Sequence, residues 1–280
     1  MEKIKFVVTE NIELSKALRK ALPLLSNFQI EKLFKDKDVK LNGVRKTKSC
    51  MAKPGDEVEA FYQINTTPWH EIVYEDDNIL VVNKRAGIEV VSEDDRNLLD
   101  VLRLGYNTLY AVHRIDRNTQ GLVVFAKTSQ AEIELLEAFK KRTIIKKYLL
   151  KVKGKVNIDA VKSRMFLKKF SESSKVLISE IKTSGYEEIV TKFSLVKHLD
   201  NQTILQAELV TGKTHQIRAH IAYFGYPIVG DGKYGIGGDI MCLTAYYMGF
   251  SFPKKSLLEY LNAKSFEIIP TWWEEDESKS

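Results

Sequence analysis

The sequence predicts an α+β protein, in which a small helix-hairpin domain precedes a larger domain built on a mixed, largely antiparallel sheet with flanking helices. Residues 12–62 combine two helical repeats with short strand-like runs joined by turn residues. Beyond residue 70 strand-like runs dominate, without the regular strand-helix alternation that a doubly wound sheet requires. A chain of 280 residues is long enough for two domains.

The first domain begins with a leucine repeat at helical spacing, formed by Leu14, Leu18, Leu22 and Leu25. Ser26 can cap a second helix whose apolar positions include Ile30, Leu33 and Phe34. We therefore predict a pair of helices near the start of the chain.

A hairpin follows the predicted helix pair. The dipeptide Asn42–Gly43 is typical of a tight turn between two strands, here within residues 38–44. Pro54, Gly55 and Asp56 then precede a strand over residues 57–62. We assign residues 1–64 to this domain and residues 65–69 to a linker.

The second domain, residues 70–280, is predicted to be rich in strands. Its helix over residues 130–140 is expected to turn Ile133, Leu136 and Phe139 inward. The stretch 163–184, rich in Ser and Lys, is interpreted as a loop or insertion. The predicted strands cover residues 79–82, 122–126, 148–152, 191–196 and 203–209.

Composition excludes several classes of protein. A hydrophobic fraction of 44% with 29% charged residues is ordinary for a soluble chain, and no run of about 18 apolar residues is available to span a bilayer. The N-terminal residues do not lead into a signal-peptide core, so we expect a cytoplasmic protein. Cys50 and Cys242 lack metal-like pairing, which argues against a disulfide framework and a thiolate zinc site. A monomer is the simplest expectation.

Basic residues outnumber acidic ones, which gives a net charge of +6 and permits nucleic-acid binding. Lysines and arginines cluster at 140–142 and 146–147, just before Tyr148. Lys151, Lys153 and Lys155 then alternate along a predicted strand, where they could follow RNA phosphates. Equally, such lysines protect a solvated strand edge against aggregation.

The run 113–121 (HRIDRNTQG) places Asp116 between two arginines, just before a turn. If this segment is extended, alternation puts Arg114 and Asp116 on one face and His113 on the other. A lone Asp-Arg pair is usually a surface ion pair of little energetic value. The run by itself therefore favours a surface ion pair, and the rest of the chain decides whether the pair is functional.

This run resembles the H-R-L-D-x-x-T-S-G signature of the RluA/RluD family of pseudouridine synthases. Further blocks similar to that family follow in its order and span roughly residues 70–253. They are residues 74–87 (YEDDNILVVNKRAG), 147–152 (KYLLKV), 210–220 (VTGKTHQIRAH) and 225–231 (GYPIVGD).

The resemblance implies an RNA pseudouridine synthase that isomerises uridine without cofactor or metal. It implies that Asp116 is the catalytic carboxylate, that Tyr148 is the active-site tyrosine and that Arg218 pairs with Asp116. Arg114 would assist base flipping. The sequence leaves open whether the carboxylate attacks the sugar, attacks the base or abstracts a proton from C2′. The other expected RNA contacts are Lys84, Lys213, Thr214 and Gln216.

The first domain resembles the S4 RNA-binding domain in its order of helix pair, hairpin and closing strand. A basic helix pair beside a basic turn fits an RNA-backbone footprint. The alternative is a generic helix-hairpin domain with an ordinary lysine-rich surface. The expected RNA-binding residues are Lys32, Lys35, Lys40, Asn42, Arg45 and Lys46.

The chain departs from the family pattern at four positions. Arg85 stands where Pro is usual, which should loosen the following turn because arginine does not fix φ. Gln120 replaces Ser, Lys213 replaces Arg, and Thr244 replaces His. These changes bear on substrate choice more than on activity.

Rival functions have less support. The i, i+5 spacing of His215 and His220 places them on different faces of a helix, which disfavours a metal site. A hydrolase pairing Asp116 with His113 is disfavoured by strand alternation. A non-catalytic assembly factor on the same scaffold remains the main alternative. Ribosomal RNA of the large subunit is the expected substrate and transfer RNA the second choice.

Overall fold

The computed structural model describes residues 2–22, 25, 27–62, 69–92, 97–157, 160–170, 175–238 and 240–273. The chain divides into two compact units. The small unit comprises Met1–Pro68 and Ser92–Val101, and the large unit comprises Trp69–Val91 and Leu102–Ser280. Apart from Trp69, the linker expected at residues 65–69 lies outside the described residues.

The small unit holds a four-stranded antiparallel sheet in the order β1-β6-β3-β4, a helix pair and a two-stranded sheet of β2 and β5. The helices are α1 (Leu14–Ala21) and α2 (Asn27–Lys35). The strands are β1 (Glu2–Val7), β2 (Ile12–Glu13), β3 (Val39–Leu41), β4 (Val44–Lys46), β5 (Met51–Ala52) and β6 (Glu57–Tyr62).

The predicted hairpin is confirmed. Asn42 and Gly43 both have positive φ, 51° and 78°, as a two-residue hairpin turn of this type requires. The Asn42 amide accepts a hydrogen bond from the Glu57 backbone N–H and donates one to the Asp56 carboxylate, both at 2.8 Å. These bonds hold the turn against the start of β6.

The two helices were predicted correctly, although α1 ends before Leu22 and Leu25, and the predicted Ser26 cap lies outside the described residues. Strand β1 was missed. It pairs with β6 from Glu2↔Tyr62 to Val7↔Glu57. Charged and apolar residues alternate from Lys3 to Phe6, which is the period-2 pattern of a half-buried strand, so β1 could have been predicted. Cross-strand ion pairs add to its pairing with β6, with Lys5 2.8 Å from the Glu57 carboxylate.

The large unit is built on an eleven-stranded sheet in the order β13-β12-β14-β15-β11-β16-β10-β8-β7, with β9 paired to β10 and β17 paired to β16. Its strands are β7 (His70–Glu75), β8 (Ile79–Lys84), β9 (Tyr110–Ala111), β10 (Gln120–Ala126), β11 (Ile145–Lys153), β12 (Ala160–Lys169), β13 (Val176–Ser179), β14 (Glu187–His198), β15 (Gln202–Leu209), β16 (Leu243–Gly249) and β17 (Ser265–Glu267). Its helices are α4 (Ser129–Lys141), α5 (Gln216–Tyr223) and a 3₁₀-helix (Glu259–Ala263). Helix α3 (Leu98–Leu102) lies, except for Leu102, in the segment Ser92–Val101 of the small unit.

The sheet is mixed and largely antiparallel, which confirms the predicted fold class. Among the described strands only β10 and β16 pair in parallel, through Gln120↔Thr244 and Gly121↔Ala245. Strands β8 and β10 lie at the centre of the core and are almost wholly buried. Burial on both faces explains their continuous apolar runs.

The helix α4 forms as predicted, and Phe139 packs against the core as expected, but the other inward residues differ from the prediction. Thr128 caps its first turn by accepting a hydrogen bond from the Ala131 backbone N–H. Ala131, Leu135 and Ala138 face the core, whereas Ile133 and Leu136 are exposed. The prediction followed the larger side chains, but the helix packs close to the sheet and places alanines there.

The loop predicted over residues 163–184 is also wrong. Strands β12 and β13 occupy most of its described part and pair with each other from Phe166↔Ser179 to Lys169↔Val176. They form the edge of the sheet, where one face is solvated and polar residues are tolerated. Serine and lysine content alone therefore concealed two strands.

Within the described part of the chain, no helix is long and apolar enough to cross a membrane.

Gly121 lies where β10 and β16 come closest. It has a φ of 126°, and a Cβ built on it would lie 2.4 Å from the Ala245 carbonyl oxygen. Gly225, which follows α5, has a φ of 85° and open space around it. Of these two glycines, Gly121 combines a conformation that disfavours side chains with a steric barrier, whereas Gly225 has the conformation alone.

We expect Gly121→Ala to destabilise the protein by about 3 kcal/mol or more, because strain and overpacking add. Gly225→Ala should cost only about 1 kcal/mol, since it meets strain alone. Urea unfolding of both variants measures the difference. Equal losses would contradict the close approach of the two strands.

Candidate active site

Asp116 lies in an irregular segment between β9 and β10, at a cleft of about 390 Å³ in the large unit. Its side chain is 22% exposed. The Asp116 carbonyl accepts a hydrogen bond from the Thr119 backbone N–H at 3.1 Å, which closes a turn directly after it. The cleft therefore presents a carboxylate that is accessible yet held by a fixed backbone.

Arg218, from the first turns of α5, contacts two carboxylates. Its Nη1 donates to Asp116 Oδ2 at 3.0 Å, and its Nε and Nη2 donate to the two oxygens of Asp231 at 2.8 and 2.9 Å. Arg218 therefore pairs with Asp116 as expected, but through a single hydrogen bond, and its bidentate partner is Asp231. Asp116 receives one hydrogen bond from a guanidinium whose position Asp231 already fixes.

Asp231 was not among the predicted site residues. Its side chain is fully buried, and its Oδ1 also accepts from the backbone N–H groups of Lys233 and Tyr234. Burial would raise the pKa of this carboxyl, but the hydrogen bonds and charge of Arg218 outweigh it and lower the pKa. The dipeptide Gly230–Asp231, which ends the family-like block at residues 225–231, was the sequence signal that could have identified Asp231.

Gly230 explains why a glycine precedes that aspartate. It has a φ of 80°, and a Cβ there would lie 1.8 Å from the Ile240 carbonyl oxygen. No other residue fits this position without moving the backbone. The glycine lets the chain turn tightly and aim Asp231 at Arg218.

His215 precedes the first residue of α5. It adopts a left-handed conformation with a φ of 55°, and its side chain makes no capping hydrogen bond. Its Nδ1 lies 3.0 Å from the Tyr234 hydroxyl, and its Nε2 lies 3.9 Å from Asp116. Burial lowers the pKa of His215 to about 4, so it stands beside Asp116 as a neutral ring near pH 7.

Tyr148 on β11 lines the same cleft and is 7% exposed. Its neighbours across the sheet are the small residues Ala207 and Ala245. Burial, and then the charge of Asp116, raise the pKa of the Tyr148 phenol. A neutral hydroxyl-bearing ring therefore shares the cleft with the carboxylate.

Two predicted RNA contacts prove to be buried instead. The Lys84 ammonium donates to the carbonyls of Arg85, Ile88 and Arg117, and the residue has no exposed surface. Burial lowers its pKa to about 7. Lys84 links the backbone of Arg85 and Ile88 to that of Arg117, the residue after Asp116. Its ammonium is therefore not available to RNA.

Gln216 is likewise buried, at 2% exposure. Its Oε1 accepts from the Thr211 hydroxyl and the Lys213 backbone N–H, and its Nε2 donates to the Val190 carbonyl. The side chain fastens the start of α5 to the sheet. Its role is structural, which corrects the prediction of an RNA contact.

The other predicted RNA contacts are accessible. Arg114 lines the cleft, and its exposed guanidinium lies 3.7 Å from the Glu89 carboxylate. Lys213 also lines the cleft and pairs with Glu187 at the surface. Thr214 is an exposed residue of the same wall. The structure brings these three near Asp116 without assigning them a role.

A family model for RNA pseudouridylate synthases matches residues 78–223. The chain is 31% identical over 263 residues to a protein of Rickettsia felis named ribosomal large subunit pseudouridine synthase C, covering 83% of this chain and 84% of that one. The chain belongs to the RNA pseudouridylate synthase family. A protein of Mycoplasma capricolum named uncharacterized RNA pseudouridine synthase is 30% identical over 96% of this chain and 98% of its own length.

A solved structure supports the fold of this synthase. Human RNA pseudouridylate synthase domain containing 1 superimposes with a TM-score of 0.57 at 22% identity, covering 75% of this chain and 94% of that one. The chain is therefore an isomerase of RNA uridines by family, and the resemblance found in its motifs is confirmed. The comparisons do not bear on the S4-like character of the small unit.

Two departures of this synthase from the family pattern form one feature. Gln120 Nε2 donates to Thr244 Oγ1 at 3.0 Å, and the Trp272 indole donates to the same oxygen at 3.0 Å. Thr271 completes the network by donating to Gln120 Oε1. In place of the usual Ser and His, Gln120 and Thr244 form a hydrogen-bonded pair that binds Thr271 and Trp272.

The Arg85 departure does not loosen its turn. The Arg85 backbone N–H donates to the Trp69 carbonyl at 2.9 Å, a bond that proline cannot make. The Gly87 N–H donates to the Arg117 carbonyl at 2.8 Å, and Arg117 Nε returns a bond to the Gly87 carbonyl. These bonds replace the restraint that proline would supply.

The predicted RNA-binding residues of the small unit differ in accessibility. Lys32, Lys35 and Arg45 are exposed, and Lys46 is half-buried. Lys40 lies 3.7 Å from the Glu59 carboxylate. The Asn42 amide is used by Asp56 and Glu57, so the prediction that it contacts RNA is not supported.

The described residues contain no group of three His, Cys, Asp or Glu side chains that could hold a metal ion. His220 is instead buried between the Ser163 and Thr191 hydroxyls, at 2.9 and 3.1 Å. His113 accepts a hydrogen bond from the Val124 backbone N–H at 3.0 Å. The hydrogen bonds of these two histidines are therefore made to groups of the protein interior.

Burial lowers the pKa of His220 to about 4, below its ordinary value near 6.5. The unfolded chain therefore binds more protons between these pH values, and stability is lost as the pH falls from 6.5 towards 4. His220→Gln should remove the part of this pH dependence that His220 causes. Between pH 7 and pH 4.5 we expect the free energy of unfolding to fall by about 2 kcal/mol less in the variant than in the wild type.

Urea unfolding at the two pH values measures this difference. His198, whose side chain is exposed, supplies the control variant His198→Gln. An identical pH dependence for the wild type and His220→Gln would mean that His220 is not held neutral in the fold.

Proposed function

We propose that this synthase converts uridines of large-subunit ribosomal RNA to pseudouridine, with Asp116 as the catalytic carboxylate. The observation that carries the proposal is the Arg218–Asp116 hydrogen bond at 3.0 Å, at the edge of a cleft that also contains Tyr148. The substrate class is supported by the relative from Rickettsia felis, whose name specifies the large ribosomal subunit.

The reaction breaks the bond between N1 of uracil and C1′ of ribose and forms a bond between C5 and C1′. The hydrogen on C5 leaves as a proton, and N1 gains a proton, so no redox partner is needed. A carboxylate can serve as nucleophile or base in this sequence. Arg218 fixes the orientation of Asp116 through a charge-assisted hydrogen bond, because Asp231 holds the rest of its guanidinium.

Tyr148 and Arg114 have separate roles in the proposal. Tyr148 is a neutral phenol on the cleft wall, suited to stacking on the base and to exchanging a proton with it. A paired uridine has to be flipped out before it can reach Asp116. Arg114, exposed beside the cleft, is placed to occupy the vacated position or to contact a flanking phosphate. Lys213 and Thr214, which line the same cleft, would also contact RNA.

Asp116→Asn should abolish release of tritium from RNA labelled at C5 of uridine, while RNA affinity changes less than about twofold. Asparagine keeps the shape of the side chain but cannot act as a nucleophilic carboxylate or base. The substrates are the large-subunit ribosomal RNA and the transfer RNA fractions of cells that lack this protein. The control Asp200→Asn alters an exposed carboxylate.

We expect release by the wild type from ribosomal RNA and not from transfer RNA. Release from transfer RNA alone would overturn the substrate and keep the catalytic residue. Release by Asp116→Asn would overturn the catalytic residue. Binding of ribosomal RNA by the wild type without any release would favour the non-catalytic assembly factor.

We also propose that the small unit binds the RNA backbone as an S4-like domain. Its hairpin and helix pair present Lys32, Lys35 and Arg45 as exposed cations. Backbone binding by such cations is electrostatic and independent of base sequence. The domain would therefore add affinity without selecting the uridine.

Replacing Lys32, Lys35 and Arg45 together by Gln should weaken ribosomal RNA binding about tenfold and reduce the slope of log Kd against log salt by about 2. The kcat for tritium release should be unchanged. A Lys3→Gln, Lys5→Gln variant is the control, since these lysines pair with Glu59 and Glu57. An equal loss of RNA affinity in this control would contradict a specific RNA-binding surface at Lys32, Lys35 and Arg45.

A further inference from the structure

The charges that line the cleft are not balanced. Three of the basic side chains have carboxylate partners: Arg114 pairs with Glu89, Lys213 with Glu187, and Arg218 with Asp231 and Asp116. Two others, Lys146 and Arg142, have no carboxylate within 4 Å in the described part of the chain. The uncompensated positive charge of the cleft therefore lies at these two residues.

Lys146 is a half-buried cation with no carboxylate partner among the described residues. Its Nζ lies 5.2 Å from the centroid of the Phe139 ring, and that ring also stacks on His113 at 4.6 Å. Burial lowers the pKa of His113 to about 3, so the nearby histidine is neutral. Burial also lowers the pKa of Lys146. An anion that entered here would offset the cost of burying the ammonium.

Arg142 occupies a position that favours glycine. It follows the last residue of α4 with a φ of 60° and a ψ of 34°, and its backbone N–H bonds to the Ala138 and Phe139 carbonyls. A left-handed residue with a side chain costs about 1 kcal/mol relative to glycine at such a helix end. Lys37 and Lys255 share this conformation, so what distinguishes Arg142 is that it also lines the cleft.

The geometry points to a phosphate subsite formed by Lys146 and Arg142, which binds a phosphodiester of the RNA next to the target uridine. The inference rests on the proposed function, since it assigns the flanking nucleotide of that substrate. Lys146 precedes Tyr148 by two residues on β11, about 7 Å along the strand. Both line the cleft, so a base beside Tyr148 and Asp116 leaves its neighbouring phosphate within reach of Lys146.

Lys146→Gln tests the subsite against a matched control. Lys147, the next residue, directs its Nζ over the Tyr247 ring at 4.9 Å and does not line the cleft. For Lys146→Gln we expect the KM for ribosomal RNA in the tritium-release assay to rise about tenfold, with kcat within twofold. The slope of log Kd against log salt should fall by about 1. Lys147→Gln should match the wild type.

Arg142→Gly provides a second, independent test. Relief of the left-handed strain should raise the midpoint of urea unfolding, while the KM for ribosomal RNA rises about fivefold or more. The control is Lys255→Gly, because Lys255 also has a positive φ, 66°, but lies outside the cleft. It should share the gain in stability and keep the wild-type KM.

The outcomes separate this inference from the proposed function. Wild-type turnover with an unchanged KM and salt slope in Lys146→Gln and Arg142→Gly would overturn the subsite and leave the synthase assignment intact. A loss confined to kcat would also overturn it, because phosphate binding acts on RNA affinity. Absence of wild-type turnover would count against the proposed function first. Competition between inorganic phosphate and RNA shows whether the site also binds free phosphate, since such a site would bind phosphate in the absence of RNA.

Discussion

The site depends on one buried guanidinium that two carboxylates share. Asp231 takes two donors of Arg218 and Asp116 takes the third. Removing one partner of a buried ion pair costs about 3–5 kcal/mol, because the remaining charge is left without compensation. Arg218 is therefore fixed by Asp231, and the more exposed Asp116 gains its orientation from a group that does not have to move.

The fold supplies these three residues from distant parts of the chain. The glycine at 121 lets β10 approach β16, which places the Asp116 segment beside the cleft. Gly230 allows the turn that aims Asp231, and buried Gln216 fixes the start of α5. The Gln120-Thr244 bond ties the same parallel pair together. Stability and orientation at the site thus arise from the same contacts.

Much of this was predictable from the sequence. The motifs located Asp116, Tyr148 and Arg218, and turn chemistry located the Asn42–Gly43 hairpin, because local patterns fix both. The sequence could not show that Lys84 and Gln216 are buried, since the identity of a polar residue does not indicate whether its side chain is buried or exposed. The inward face of α4 was misjudged because its buried positions are mostly alanines, and β12 was missed because edge strands tolerate serine and lysine.

The central claim is that Asp231 acts on the reaction through Arg218, and a double-mutant cycle in kcat/KM for tritium release tests it most directly. The single variants are Asp231→Asn and Arg218→Lys, which keeps the charge but loses the planar fork. The account predicts strong non-additivity, with the double variant within about threefold of the worse single variant. Losses that simply add, within about 0.5 kcal/mol, would contradict it.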